Sequence, residues 1–107
     1  MQCDVAIVGM ACIFPKAPDL ATYWRNLRDG VDAITTAPAT RWEASYYDPA
    51  STAPDRFYAR RGGFIDEYAT FDPAAYGIMP IAARGAEPDQ LLALHVATAA
   101  LAHFAIR

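Results

Sequence analysis

The sequence predicts an α/β fold, and three stretches of the chain carry that prediction. Residues Val5–Val8 form a continuous apolar run rich in β-branched side chains and ended by Gly9, a pattern typical of a strand covered on both faces. An amphipathic pattern follows it, and a longer apolar stretch lies near the end of the chain. We therefore expect a buried strand, a helix, a loop-rich stretch and a long buried helix, in that order.

The first helix is predicted from about Leu20 to Asp29, after two prolines that interrupt the chain. Asp19 is a suitable N-cap, and Gly30 stands where a left-handed residue would end the helix. Arginines near the carboxyl end suit the helix dipole. The apolar positions repeat with helical spacing at Leu20, Tyr23, Trp24 and Leu27.

Residues 32–73 are predicted to be an extended, loop-rich covering segment, because prolines recur along them at turn-like positions. The prolines are Pro38, Pro49, Pro54 and Pro73, and the aromatic anchors between them are Trp42, Tyr46, Tyr47, Phe57 and Tyr58. Within this segment, residues 60–65 indicate a turn into a short strand. A short helical turn should begin at Phe71–Pro73 and reach Tyr76.

The last helix is predicted from about Pro88 to His103, after the chain becomes helical again beyond Pro80. Apolar residues lie on nearly all sides of it. Such a helix is expected inside a large protein and is unusual on a small independent domain. The pattern indicates that this chain needs a partner to cover it.

Bulk properties exclude several classes of function. The chain has 107 residues, 54% of them apolar, and a formal net charge of −3, which leaves no basic surface for a phosphate backbone. The longest apolar run, 91–106, is shorter than the roughly 20 residues of a bilayer span. The amino terminus has no secretory pattern. We expect a cytoplasmic protein that binds neither nucleic acid nor membrane.

Few residues are candidates for chemistry, and each has a plainer interpretation. A dinucleotide fingerprint would need three glycines, but positions 9, 11 and 14 are Gly9, Ala11 and Phe14. Cys3 and Cys12 lack a local feature that would activate a nucleophile, so we expect inert thiols.

The two histidines and a pair of arginines remain. His95 and His103 are eight residues apart, about 12 Å along a helix, too far to share a metal ion, and with Thr98 they predict a polar stripe facing solvent or another chain. Arg60 and Arg61, before two glycines, could bind a phosphate or an acidic carrier protein, although a solvated turn is the commoner explanation.

Several segments, in order, resemble β-ketoacyl synthase domains of modular polyketide synthases. They are 5–12 with Phe14–Pro15, 23–27, 30–34, Arg41–Trp42, 46–49, 61–65, 71–73 and 76–78. The chain departs from the family near Met79, in Glu87–Gln90, at Leu91 and in His103–Ala105. These departures suggest a divergent subgroup, nearer the condensing domains of polyunsaturated-fatty-acid synthases.

The resemblance identifies residues 1–107 as the amino-terminal part of a ketosynthase domain with a thiolase-like fold. It implies a homodimer that performs Claisen condensation between an acyl-cysteine and a malonyl-type extender carried on the phosphopantetheine arm of an acyl carrier protein. The family's nucleophilic cysteine and two histidines match no residue here, so no catalytic, cofactor-binding or metal-binding residue is assigned, and the chain is expected to be scaffold. The alternative is a non-catalytic module, derived from a ketosynthase, that binds a carrier protein or synthase subunit.

Overall fold

The computed structural model describes residues 4–105, in which helices dominate and strands are short. The elements, in chain order, are α1 (Leu20–Arg28), β1 (Thr35–Thr36), a 3₁₀ turn (Ala44–Tyr46), β2 (Arg61–Gly62), a second 3₁₀ turn (Pro73–Tyr76), α2 (Pro80–Arg84) and α3 (Pro88–Ala105). The helix predicted over 20–29 and the short turn reaching Tyr76 are confirmed. The helix predicted over 88–103 is confirmed, and it extends two residues further, to Ala105.

Residues Val5–Val8 do not form the buried strand that the sequence predicts. They belong to no strand, and Val5 and Ile7 are 89% and 77% exposed. A strand exists only by hydrogen bonding to a neighbour, and the described part of the chain offers this segment no partner strand. The apolar run is therefore present without the sheet that it was expected to enter.

Helix α1 begins and ends where its local sequence signals predict. The Asp19 carboxylate accepts a hydrogen bond from the backbone N–H of Thr22 at 2.7 Å. At the other end, Gly30 adopts a left-handed φ of 64°, and the N–H groups of Gly30 and Val31 donate to the carbonyls of Leu27 and Asn26. This pair of bonds is a Schellman motif, which satisfies carbonyls that a helix end leaves unpaired.

A tight turn joins the amino-terminal segment to α1. Phe14 and Ala17 exchange two backbone hydrogen bonds of 2.8 Å, and Lys16 between them has a positive φ of 58°. The Asn26 amide donates to the Lys16 carbonyl at 2.8 Å, while the Phe14 ring lies 4.5 Å from that of Tyr23. The turn is fixed to the side of α1, and it encloses Ala17 completely.

The loop-rich segment is organised by a small antiparallel ribbon and an aromatic stack. Strands β1 and β2 pair Thr35 with Gly62 and Thr36 with Arg61. The sequence predicts a short strand within 60–65, and one is present at Arg61–Gly62, where β1 supplies the pairing partner. The rings of Trp42 and Phe57 stack at 4.0 Å, so aromatic anchors do hold this segment.

The described chain is open, and its apolar residues remain largely uncovered. Its accessible surface is 8566 Å², against about 5,900 Å² expected for a compact monomer of this mass. Its radius of gyration is 18.4 Å, compared with roughly 13 Å for a compact domain of about 100 residues. Helix α3, predicted to be buried, exposes Leu101 by 71% and Phe104 by 53%. The apolar pattern predicts that this helix needs a partner to cover it, and nothing within residues 4–105 covers its outer face.

None of the helices described between residues 4 and 105 is both long enough and apolar enough to cross a bilayer.

Candidate functional site

An apolar groove lies between residues 10–13, the start of α1 and one face of α3. Its volume is about 640 Å³. Apolar side chains including Leu20, Trp24 and Val96 form most of its wall. The polar groups along it are Cys12, Asp19, His95 and His103, so both histidines and the described cysteine line the same groove.

His103 joins the carboxyl end of α3 to the amino-terminal segment. The backbone N–H of Met10 donates a hydrogen bond to Nδ1 of His103 over 3.1 Å. One residue earlier, Gly9 lies so close to α3 that a Cβ there would overlap the carbonyl oxygen of Ala100. Two adjacent residues of the segment therefore contact the helix backbone and the imidazole ring directly.

His95, also on α3, contacts a different part of the chain. Its Nδ1 lies 2.9 Å from the hydroxyl oxygen of Tyr76, whose ring stacks on Phe71 with centroids 4.8 Å apart. A second, smaller cavity of about 420 Å³ lies beside this pair. His95 thus connects α3 to the second 3₁₀ turn.

The predicted polar stripe on α3 is wrong for both histidines. His95 and His103 are half-buried and hydrogen-bond to other parts of the chain, whereas Thr98 is exposed and its hydroxyl donates to the carbonyl of Leu94 at 2.9 Å. The sequence predicts that the polar residues of this apolar helix face solvent or another chain, but hydrogen bonds to Met10 and Tyr76 of this chain satisfy the two histidines.

Cys12 is a free thiol in the groove, as predicted from its sequence context. Burial raises the pKa of the Cys12 thiol, and the negative charge of Asp19 raises this pKa further. Because the thiolate is the reactive form, both effects make Cys12 a poor nucleophile at neutral pH. Cys3 lies outside the described residues. Within residues 4–105, no three metal-ligating side chains converge.

Glycine is required at position 9 for a reason other than a nucleotide-binding turn. Its φ is not in the left-handed region, so the turn does not require glycine there. Glycine is required instead because this residue lies against the backbone of Ala100, where a Cβ would not fit. The glycine brings the segment onto the α3 backbone.

Arg60 and Arg61 lie side by side in sequence but serve different contacts. The guanidinium of Arg60 lies 5.0 Å from the ring centroid of Tyr47, and that of Arg61 donates to the carbonyl of Ile34 at 3.3 Å. Neither arginine forms an ion pair with a described carboxylate. The structure therefore does not combine them into one anion-binding fork.

Sequence reasoning missed the two histidine contacts. Their partners, Met10 and Tyr76, are 93 and 19 residues away along the chain. No local pattern joins residues so distant. The available signal was chemical: two histidines in an otherwise apolar helix need hydrogen-bond partners wherever the helix packs.

Comparison with known proteins gives a consistent family. A family model described as "Beta-ketoacyl synthase, N-terminal domain" matches residues 2–107. The chain is 46% identical over 89 residues to polyketide synthase PksN of Bacillus subtilis, a match covering 82% of this chain and 2% of that protein. It is 39% identical over 98 residues to polyketide synthase ThaG of Burkholderia thailandensis, covering 91% of the chain and 2% of that protein.

Solved structures agree. The oxazolomycin ketosynthase domain OzmH KS7 of Streptomyces albus matches with a TM-score of 0.78 and 39% identity over 85% of this chain and 16% of that one. The ketosynthase from module 6 of the bacillaene synthase of Bacillus subtilis matches with a TM-score of 0.75 and 32% identity over 89% of this chain and 16% of that one. The chain spans only a small part of each of these relatives.

Proposed function

The chain belongs to the β-ketoacyl synthase family, and on that premise we propose that it is a framework segment of the condensing domain of a polyketide synthase. The observation that best supports this role is the match to a ketosynthase domain at a TM-score of 0.78 over 85% of the chain. The matched relatives are polyketide synthases, which favours the polyketide alternative over a polyunsaturated-fatty-acid synthase.

The reaction proposed for the whole domain is a decarboxylative Claisen condensation. An acyl group passes from a thioester donor to a cysteine thiolate of the domain, which releases the thiolate of the donor. A malonyl-type extender on the phosphopantetheine arm of a carrier protein then loses CO₂ to give an enolate. The enolate carbon attacks the acyl thioester carbonyl, a C–C bond forms, and the cysteine thiolate leaves. The chain would bind no cofactor itself, and the whole domain would be a cytoplasmic homodimer.

The groove residues suit a framework role better than a catalytic one. Cys12 has a raised thiol pKa, and both histidines hydrogen-bond to the chain through Nδ1. We therefore propose that the nucleophilic cysteine and the two catalytic histidines come from another part of the domain. The groove would instead pack against that part.

Exposed apolar surface argues against the alternative of a stand-alone binding module. Val5, Ile7 and Leu101 are each more than 70% exposed, and Ala17 alone is fully buried among the described residues. A domain that folds by itself needs a core that covers such groups. The remainder of a ketosynthase domain would supply that cover, together with strands to pair with residues 5–8.

Mapping the acylated residue tests the proposal. The protein produced by its own gene is purified, its intact mass is measured, and it is incubated with an acyl thioester of N-acetylcysteamine. We expect a product larger than the 11.7 kDa of this chain, carrying the acyl group on a cysteine other than Cys12. The variant Cys12→Ser should be acylated to the same extent.

Three outcomes would overturn the proposal. An adduct on Cys12 would make this segment catalytic. A purified protein without any acyl adduct would contradict a condensing role. A soluble, folded monomer of 11.7 kDa would favour the non-catalytic module instead.

A further inference from the structure

We propose that His103 is a pH-sensitive latch that holds the segment around Met10 against the last turns of α3. The latch consists of the hydrogen bond from the Met10 backbone N–H to His103 Nδ1, 3.1 Å long. This inference concerns residues of the chain itself and does not depend on the proposed function.

The partners at this contact permit only one protonation state of the ring. A backbone N–H can donate and cannot accept, so Nδ1 of His103 must carry a lone pair. The ring is therefore neutral, with its proton on Nε2. When the ring gains a second proton, Nδ1 becomes a donor facing another donor, and the hydrogen bond is lost.

His95 provides a natural contrast, because its partner is a hydroxyl group. The Tyr76 oxygen lies 2.9 Å from Nδ1 of His95. A hydroxyl both donates and accepts, so Tyr76 can donate to the neutral ring or accept from the charged one. The same helix thus carries one histidine contact that protonation breaks and one that it leaves in place.

The carboxyl of Asp19 and the thiol of Cys12 also line the groove, and the pKa of each is shifted away from neutral pH. Asp19, from the start of α1, stays ionised because the hydrogen bond from the Thr22 N–H lowers the pKa of its carboxyl. Cys12, from the amino-terminal segment, stays a neutral thiol because burial raises its pKa. On the Tyr76 side, the carboxylate that lines the smaller cavity is that of Asp72, which accepts a hydrogen bond from the Ala74 N–H at 3.1 Å. The two imidazoles line the same groove, and imidazole is the side chain whose ordinary charge change falls between about pH 5 and pH 8.

Release of the latch has a defined structural consequence. The bond adjoins the close approach of Gly9 to Ala100, so it holds the segment at the point where the backbone meets α3. The last turn of a helix also accommodates a positive charge, and the protonated ring is therefore tolerated on α3 while its bond to Met10 is lost. Acidification should free residues 9–10 without unwinding the helix.

Amide exchange at Met10 tests the latch in the complete protein that contains this chain. The protection factor of the Met10 amide, referred to the intrinsic rate at each pH, is measured from pH 8 to pH 5.5. Formation of the bond requires the loss of one proton, so protection should be constant above the imidazole titration and fall by about tenfold per pH unit below it.

The same substitution at the two histidines provides matched variants. Asparagine places Oδ1 at the same number of bonds from Cβ as histidine Nδ1 and does not titrate. His103→Asn should keep the Met10 amide protected with little dependence on pH, and His95→Asn should retain the acid-induced fall. A flat wild-type profile, a His103→Asn profile that falls like wild type, or a flat His95→Asn profile would each overturn the proposal.

A second measurement requires no variant and remains decisive if His103→Asn does not fold. The ring ¹⁵N chemical shifts of His103 at pH 7.5 should report an unprotonated Nδ1 and a protonated Nε2. The opposite tautomer would leave no acceptor for the Met10 N–H and would refute the latch.

Discussion

Helices α1 and α3 differ in whether the residues that contact them lie nearby or far away in the sequence. Helix α1 is completed by its neighbours in sequence: the Asp19 side chain satisfies its first turn, and Gly30 and Val31 satisfy its last carbonyls. Helix α3 is twice as long, with 18 residues against 9, yet its fixed polar contacts run to Met10 and Tyr76, and its outer face is uncovered. A helix can thus be specified locally while its environment is not.

This difference explains why one chain contains both well-determined and incomplete regions. Caps and turns need only a few consecutive residues, so they form in this segment as they would in the whole domain. Burial of α3 and pairing of residues 5–8 need surfaces that the described residues do not supply. Substitutions in the two regions should therefore differ in how much they lower the free energy of unfolding and in how far their effects extend.

The largest effect is expected where the amino-terminal segment meets α3. Gly9→Ala places a Cβ against the Ala100 carbonyl, and forcing extra atoms into a packed contact costs about 1–3 kcal/mol. The free energy of unfolding of the complete ketosynthase domain, measured by chemical denaturation, should fall by that amount. Gly85→Ala is the matched control, because the nearest atom to its Cβ is 3.8 Å away. Equal stability of the two variants would show that the segment does not press on α3.

A smaller and local effect is expected at the carboxyl end of α1. Gly30 has a left-handed φ of 64°, and a Cβ added there would have no atom within 4 Å, so alanine meets no neighbour but must adopt a backbone conformation that costs about 1–2 kcal/mol. Gly30→Asn should lose less, since asparagine tolerates this conformation. Denaturation of the two variants checks the order, and equal losses would contradict a conformational cause.

The sequence was informative where structure depends on neighbouring residues. It located Asp19 and Gly30 as the boundaries of α1 and the turn at Pro73–Tyr76, because side-chain caps and positive φ angles are short-range features. It placed α3 correctly, and the apolar residues on nearly all sides of that helix indicated that the chain needs a partner to cover it. It failed at Val5–Val8 because β-branched apolar residues indicate a strand without saying which strand pairs with it. It failed at His95 and His103 because their partners are distant in sequence.

The smallest effect is expected at an exposed ion pair that belongs to neither helix. Nε of Arg41 donates to the two carboxylate oxygens of Asp66 at 2.9 and 3.2 Å, and the guanidinium lies 5.3 Å from the ring centroid of Phe64. This hydrogen bonding, more than the charge of Arg41, lowers the pKa of Asp66. A lowered carboxyl pKa contributes stability above the unfolded-state pKa of about 3.9 and loses it as the pH falls through the folded-state value.

Arg41→Gln should therefore raise the pKa of Asp66 and reduce stability slightly at neutral pH, with the variant and wild type converging in acid. Both side chains are substantially exposed, so solvent screening keeps the stability difference small. The measurement is a ¹³C carboxyl titration of Asp66 in the complete domain. Arg41→Lys is the control, since it keeps the charge but not the planar donor group, and it should give an intermediate pKa. If Asp66 titrates identically in all three proteins, Arg41 does not lower the pKa of this carboxylate. The β1–β2 ribbon and aromatic packing would then be the contacts that hold the loop-rich segment together.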